Sequence, residues 1–165
     1  MRMGEFATTA AAAELLTTIG LGSCVGLVVL DGQHSVAGMA HIVFPHSPNG
    51  KPVGTPGKYA DTAVPALLAA LTRLGGVSAA FEAVLVGGAR MFAFGRSAEL
   101  DIGARNVSAV TSALAAEAIP IRAALTGGSI GRSVRVQDGV VAVRQAGVDS
   151  QLYRAFRGPL QEAAR

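Results

Sequence analysis

The stretch TTIGLGSCVGLVVLDGQHSVAGMAHIVF, residues 17–44, decides the fold. Its apolar runs are broken by turn residues, so it reads as strand, glycine turn, strand, turn and strand. Cys24 to Asp31 is rich in Val and Leu and too short for a typical helix, and Gly32-Gln33-His34 is the turn from which Ser35 to Phe44 returns. Both runs are nearly continuously apolar, which predicts burial on both faces. Helices or another sheet must therefore cover them.

Downstream, Pro45 to Gly57 holds Pro45, Pro48, Pro52 and Pro56 with three glycines. This is a long irregular loop, of a length that is uncommon unless it carries function. From Lys58 to Leu74 the residues Ala60, Val64, Leu67, Leu68, Leu71 and Leu74 recur at helical spacing and stop at Gly75-Gly76. Pro65 conflicts with that helix, which either starts near Thr62 or kinks at the proline. A strand is expected over Glu82–Val86, and a helix over Gly103–Ala118 with Val107, Val110, Leu114 and Ala118 on one face. Strands follow at Ile121–Leu125, Val134–Gln137 and Val140–Arg144, the last two joined by Asp138-Gly139, a strong hairpin signal. The tail from Ser150 reads as a weak helix broken at Gly158-Pro159. The expected class is α/β (α+β layered), a mixed β-sheet core with helices packed on it. The whole chain, residues 1–165, reads as one domain, with about 14 N-terminal and about 15 C-terminal residues peripheral.

Composition agrees. The 165 residues are 50% hydrophobic and only 15% charged, enough for one buried core and unlike a disordered chain. The longest apolar run without a charge, Leu15 to Leu30, falls short of the roughly 20 residues of a membrane span and is interrupted by Thr and Gly. No clean apolar stretch precedes Glu14, so a secretory signal is not expected. A single cysteine, Cys24, forms no internal disulfide and suits a reducing compartment, which points to the cytoplasm. The net charge is +3, and residues 120–165 carry seven Arg, including Arg132, Arg135, Arg144, Arg154 and Arg157, against three acids. A surface for an acidic partner is one reading. No dense Lys/Arg run with interleaved aromatics marks a nucleic-acid groove.

Chemistry concentrates where the first strand turns into the second. Gly20-Leu21-Gly22-Ser23-Cys24 places a thiol just after a glycine turn, and the amides of Gly22 and Ser23 are candidates for an oxyanion site. The pattern is neither a dinucleotide fingerprint nor a P-loop. His41 lies on the returning strand, and strand pairing can bring its imidazole beside the thiol. Such a His serves as general base and then acid, and it lowers a thiol pKa below the ordinary value of about 8.5. Thr18 can orient the imidazole. A metal alternative uses Cys24, His41 and His46, with His34 a fourth candidate, although their spacing matches no finger or HExxH pattern.

The block TIGLGSCVGLVVLD (18–31) and GMAHIVFP (38–45) resembles the core signature of CheD, the chemoreceptor glutamine deamidase family of bacterial and archaeal chemotaxis. GKYADTAV (57–64), GGARMF (87–92), IGARNV (102–107) and TGGSIGRSVRV (126–136) continue the resemblance over nearly the whole chain. It implies a catalytic Cys24, His41 and Thr18, and hydrolysis of glutamine side-chain amides on the cytoplasmic helices of methyl-accepting receptors. It further implies a fold similar to the deamidating cytotoxic necrotizing factor toxins, no metal or organic cofactor, and pairing with a CheC-type phosphatase. Lys58, Tyr59, Arg105 and Asn106 are substrate-binding candidates, with bracing of a loop the other role open to Arg105 and Asn106. An inactive adaptor and a receptor methylesterase are the alternative readings.

Overall fold

The structure is a computed structural model that describes residues 1–11, 13–51, 53–90 and 101–156. Its centre is the hairpin read from the sequence. Strands β3 (Val25–Asp31) and β4 (Val36–Ile42) are buried at every position and pair in register, Val25 opposite Ile42 and Gly26 opposite His41. With β1 (Phe6–Thr9), β5 (Phe81–Gly87) and β6 (Ile121–Thr126) they form a five-stranded sheet in the order β1-β4-β3-β5-β6. Alternate residues leave to opposite sides. Val25, Leu27, Val29, Ala40 and Ile42 pack under helices α1 (Ala60–Arg73) and α2 (Ile102–Ala116), whereas Val28, Leu30, Ala37 and Met39 face a second sheet. That four-stranded sheet has the order β2-β7-β8-β9, formed by β2 (Leu16–Leu21), β7 (Arg132–Gln137), β8 (Val140–Gln145) and β9 (Val148–Arg154). The layers therefore run helices, mixed sheet, antiparallel sheet, and the double burial expected of β3 and β4 has one cover on each side.

The first three strands do not form one meander, because β2 pairs with β7 in the second sheet. Gly20 to Cys24 is thus a crossing between sheets, which places the thiol at the sheet–sheet junction. Helix α1 starts at Ala60 and runs through Pro65. The start near Thr62 does not hold. Pro65 lies on the exposed side, and burial of Ala63, Val64, Leu67, Leu68 and Leu71 offsets a proline cost of about 3 kcal/mol. Helix α2 opens on Asp101, whose carboxylate accepts from the Ala104 N–H at 3.0 Å, and Ala118 falls outside it with φ +56°. Asp138 and Gly139, at φ +51° and +67°, make the expected tight hairpin turn.

The weak helix expected from Ser150 is a correction. Residues up to Arg154 extend β9, paired along β8 from Gln145↔Val148 to Val140↔Arg154, and Gly158-Pro159 lie outside the described residues. Strand pairing overrides the local preference there. No helix among the described residues is long and apolar enough to cross a membrane.

Candidate active site

His41 projects from β4 toward the second sheet, the side shared by Met39. There Thr18 of β2 meets it, and Thr18 Oγ1 lies 2.7 Å from His41 Nδ1, both residues being 1% exposed. Cys24 packs in the same layer between the sheets. Its place follows from register: Gly26 is opposite His41, and Cys24, two residues earlier on the same side, is the diagonal neighbour of the imidazole. His41 Nε2 is buried and has no hydrogen-bond partner among the described residues. The ring is thus fixed at one nitrogen and unengaged at the other.

The Cys24 loop is held from behind by backbone. Gly88 N donates to Cys24 O and Ala89 N to Gly22 O, each at 2.8 Å. Gly87 has φ +110°, and a side chain on it would overlap the Cys24 carbonyl, so the close approach requires glycine. Gly127 N in turn donates to Gly87 O at 2.9 Å. Of the two oxyanion candidates, Gly22 is unsuited because its N–H donates to Gly20 O at 3.0 Å. The Ser23 N–H has no hydrogen-bond partner among the described residues, whereas the Cys24 N–H is engaged by its own Sγ.

Asn106, 0% exposed, has the geometry of a brace and cannot touch a substrate as placed. Its Nδ2 donates to Ser23 O and Val43 O, both at 2.9 Å, tying the Cys24 loop to the end of the His41 strand. The sequence offered only its place in IGARNV as a signal. Tyr59 is buried, Lys58 half-buried and Arg105 exposed, all beside Phe44. The metal alternative does not assemble. His34 bonds Asp31 at 2.8 Å in the turn after β3, the end opposite Cys24, and no group of three or more His, Cys, Asp or Glu able to hold a metal occurs among the described residues. A depression of about 890 Å³ beside Gly32, Arg122 and Tyr153 is also at that far end.

The electrostatics correct a further expectation. Burial pushes the Cys24 thiol above its ordinary value, only partly offset by its own backbone N–H. Burial also pushes His41 down, assisted by the nearby N-terminal ammonium, which donates to Thr17 O at 2.7 Å. The resting pair is therefore neutral thiol and neutral imidazole, because an ion pair in this dry layer lacks the water that stabilises charge. Cys24 should accordingly react with iodoacetamide at pH 7 more slowly than a small model thiol, with the rate still rising past pH 9. Faster labelling at neutral pH would show a preformed thiolate.

The basic C-terminal third is not one surface. Arg132 is 6% exposed, with Nη1 donating to Gly127 O at 2.8 Å and Nε to the Gln145 side chain at 2.7 Å. Arg135 lies 3.9 Å from Asp149 on the outer face of the second sheet. Arg157 lies outside the described residues.

With the geometry in place, comparison with known proteins is direct. The family described as CheD chemotactic sensory transduction matches residues 43–145. The chain belongs to the CheD family. A chemoreceptor glutamine deamidase CheD of Halalkalibacterium halodurans is 46% identical over 121 residues, covering 72% of this chain and 75% of that protein. Probable chemoreceptor glutamine deamidases CheD of Geobacillus kaustophilus and Clostridium novyi are 43% and 40% identical, covering 82% and 81% of this chain and 85% and 84% of their own. The family match begins after Thr18, Cys24 and His41. In this CheD-family chain those three residues are candidates argued from the geometry above.

Proposed function

We propose that this chain is a cytoplasmic chemoreceptor glutamine deamidase that uses Cys24 as its nucleophile. The supporting observation is the buried Thr18–His41 pair, whose unengaged Nε2 belongs to the layer that holds the thiol. When Nδ1–H donates to Thr18, Nε2 carries the lone pair that a general base needs.

The steps follow from that arrangement. Nε2 takes the Sγ proton as sulfur bonds to the glutamine amide carbon, and the carbonyl electron pair moves to oxygen. The Ser23 N–H stabilises that oxyanion, a contribution of about 3 kcal/mol for a well-placed donor. The imidazolium then protonates the amide nitrogen, the C–N bond breaks, ammonia leaves and a thioester remains. Water gives a proton to Nε2 and attacks the thioester. Sulfur leaves and recovers its proton, and glutamate is released.

On this reading the substrates are the cytoplasmic helices of methyl-accepting receptors, and a CheC-type phosphatase is the partner that the family resemblance implies. Incubation with a receptor cytoplasmic domain should raise its mass by about 1 Da per modified glutamine, with one ammonia released per site. Methanol release from a methylated receptor, without ammonia, would assign the same thioester route to an esterase. Binding without either product would make the chain an adaptor.

A further inference from the structure

At the end of the first sheet where the Cys24 loop enters, the surface opens into a depression of about 400 Å³ lined by Phe44, Pro45, His46, Tyr59, Ile102 and Arg105. Two covalent neighbours place it at the rim of the site. Phe44 follows Val43 and Arg105 precedes Asn106, and the Asn106 side chain joins Val43 O to Ser23 O, next to the nucleophile. The Phe44 and Tyr59 rings stack with centroids 5.8 Å apart, and Lys58 Nζ sits 5.7 and 5.3 Å from them. Backbone bonds preform the groove: Val43 N and Phe44 N both donate to Lys58 O, and Ala60 N donates to Phe44 O, all at 3.0 Å.

The groove's chemistry is one-sided. Phe44 is 40% exposed, an aromatic face offered to an apolar side chain. Lys58 and Arg105 have no carboxylate within ion-pair distance among the described residues, and the nearby Asp61 is taken by the N–H and hydroxyl of Ser47. Two cations without a carboxylate partner, flanking an exposed ring that Asn106 ties to the Cys24 loop, fit a peptide with carboxylates around one apolar residue. The outer arginines of the second sheet face away from Cys24 and do not share this position.

We propose that this groove docks an acidic segment of the substrate and selects glutamines with acidic neighbours and an apolar side chain to lie on Phe44. The proposal rests on the deamidase reading for its substrate, and binding tests it separately from turnover. The probe is a fluorescein-labelled synthetic peptide with one glutamine flanked by glutamates and a leucine, compared with its lysine-flanked counterpart by anisotropy. The full chain should bind the acidic peptide about tenfold more tightly, and Lys58→Glu/Arg105→Glu should reverse that preference at an unchanged melting temperature. Phe44→Ala should weaken both peptides. A preference that survives the double reversal, or no binding of the acidic peptide, overturns the proposal. Binding that follows the charges without ammonia release upholds the groove and defeats the deamidase reading instead.

Discussion

Cys24→Ala is expected to lower receptor deamidation by at least about 10⁴-fold, because removing a nucleophile removes the covalent route itself. The substitution deletes one buried sulfur from the layer containing Leu21, Val86 and Val134, and a loss of that size costs on the order of 1 kcal/mol. The fold should therefore persist, with a melting temperature a few degrees lower at most. Cys24→Ser separates nucleophile from volume. Its hydroxyl fits the space but is a much weaker acid than a thiol, so neutral His41 cannot ionise it usefully and the loss should remain above about 10³-fold. Intact mass of a receptor domain after prolonged incubation gives the readout. A variant that still adds about 1 Da per site would remove Cys24 from the mechanism.

Much of this architecture is legible in residues 17–44, because strands buried on both sides carry their apolar pattern continuously and their turns are marked by glycine. The catalytic candidates are legible for the same reason: Thr18, Cys24 and His41 are among the polar groups set into that apolar pattern. Which strand pairs with which was not. Nothing local tells β2 that its partner is β7, more than a hundred residues away, and so the interlayer position of the thiol appears only in three dimensions. β1 was missed because FATT is short, half-buried and held by pairing with β4. β9 was missed because VDSQLYR has little apolar alternation and is held by its ladder to β8. Burial also reversed two chemical expectations. A His beside a Cys suggests a lowered thiol pKa in water, but both groups here are desolvated and stay neutral. Arg132 reads as a surface cation, yet its inward parity on β7 buries it against the glycine turns behind Cys24.

His41→Ala is expected to reduce kcat/KM by about 10³-fold, and Thr18→Ala by about tenfold, because the first removes the proton carrier and the second only its anchor. Thr18→Ser keeps an oxygen for Nδ1 and should restore most of the loss, whereas a purely packing role for Thr18 would leave Ser as poor as Ala. The pH profile distinguishes the two residues further. The reactive form pairs a neutral imidazole with a protonated thiol, so activity falls on the acid side as His41 gains a proton and on the alkaline side as Cys24 loses its own. Burial lowers the first pKa from 6.5 and raises the second from 9.0, which makes the profile of kcat/KM a plateau extending beyond both values. Stability carries the same signature. Below pH 6.5 the unfolded chain binds the His41 proton that the folded chain refuses, and above pH 9.0 it releases the Cys24 proton that the folded chain keeps, so both groups destabilise the fold outside that window. His41→Ala should remove the acidic limb from the residual rate and lessen the acid loss of stability. Similar small losses in the His41 and Thr18 variants, with an unchanged acidic limb, would show that another group carries the proton.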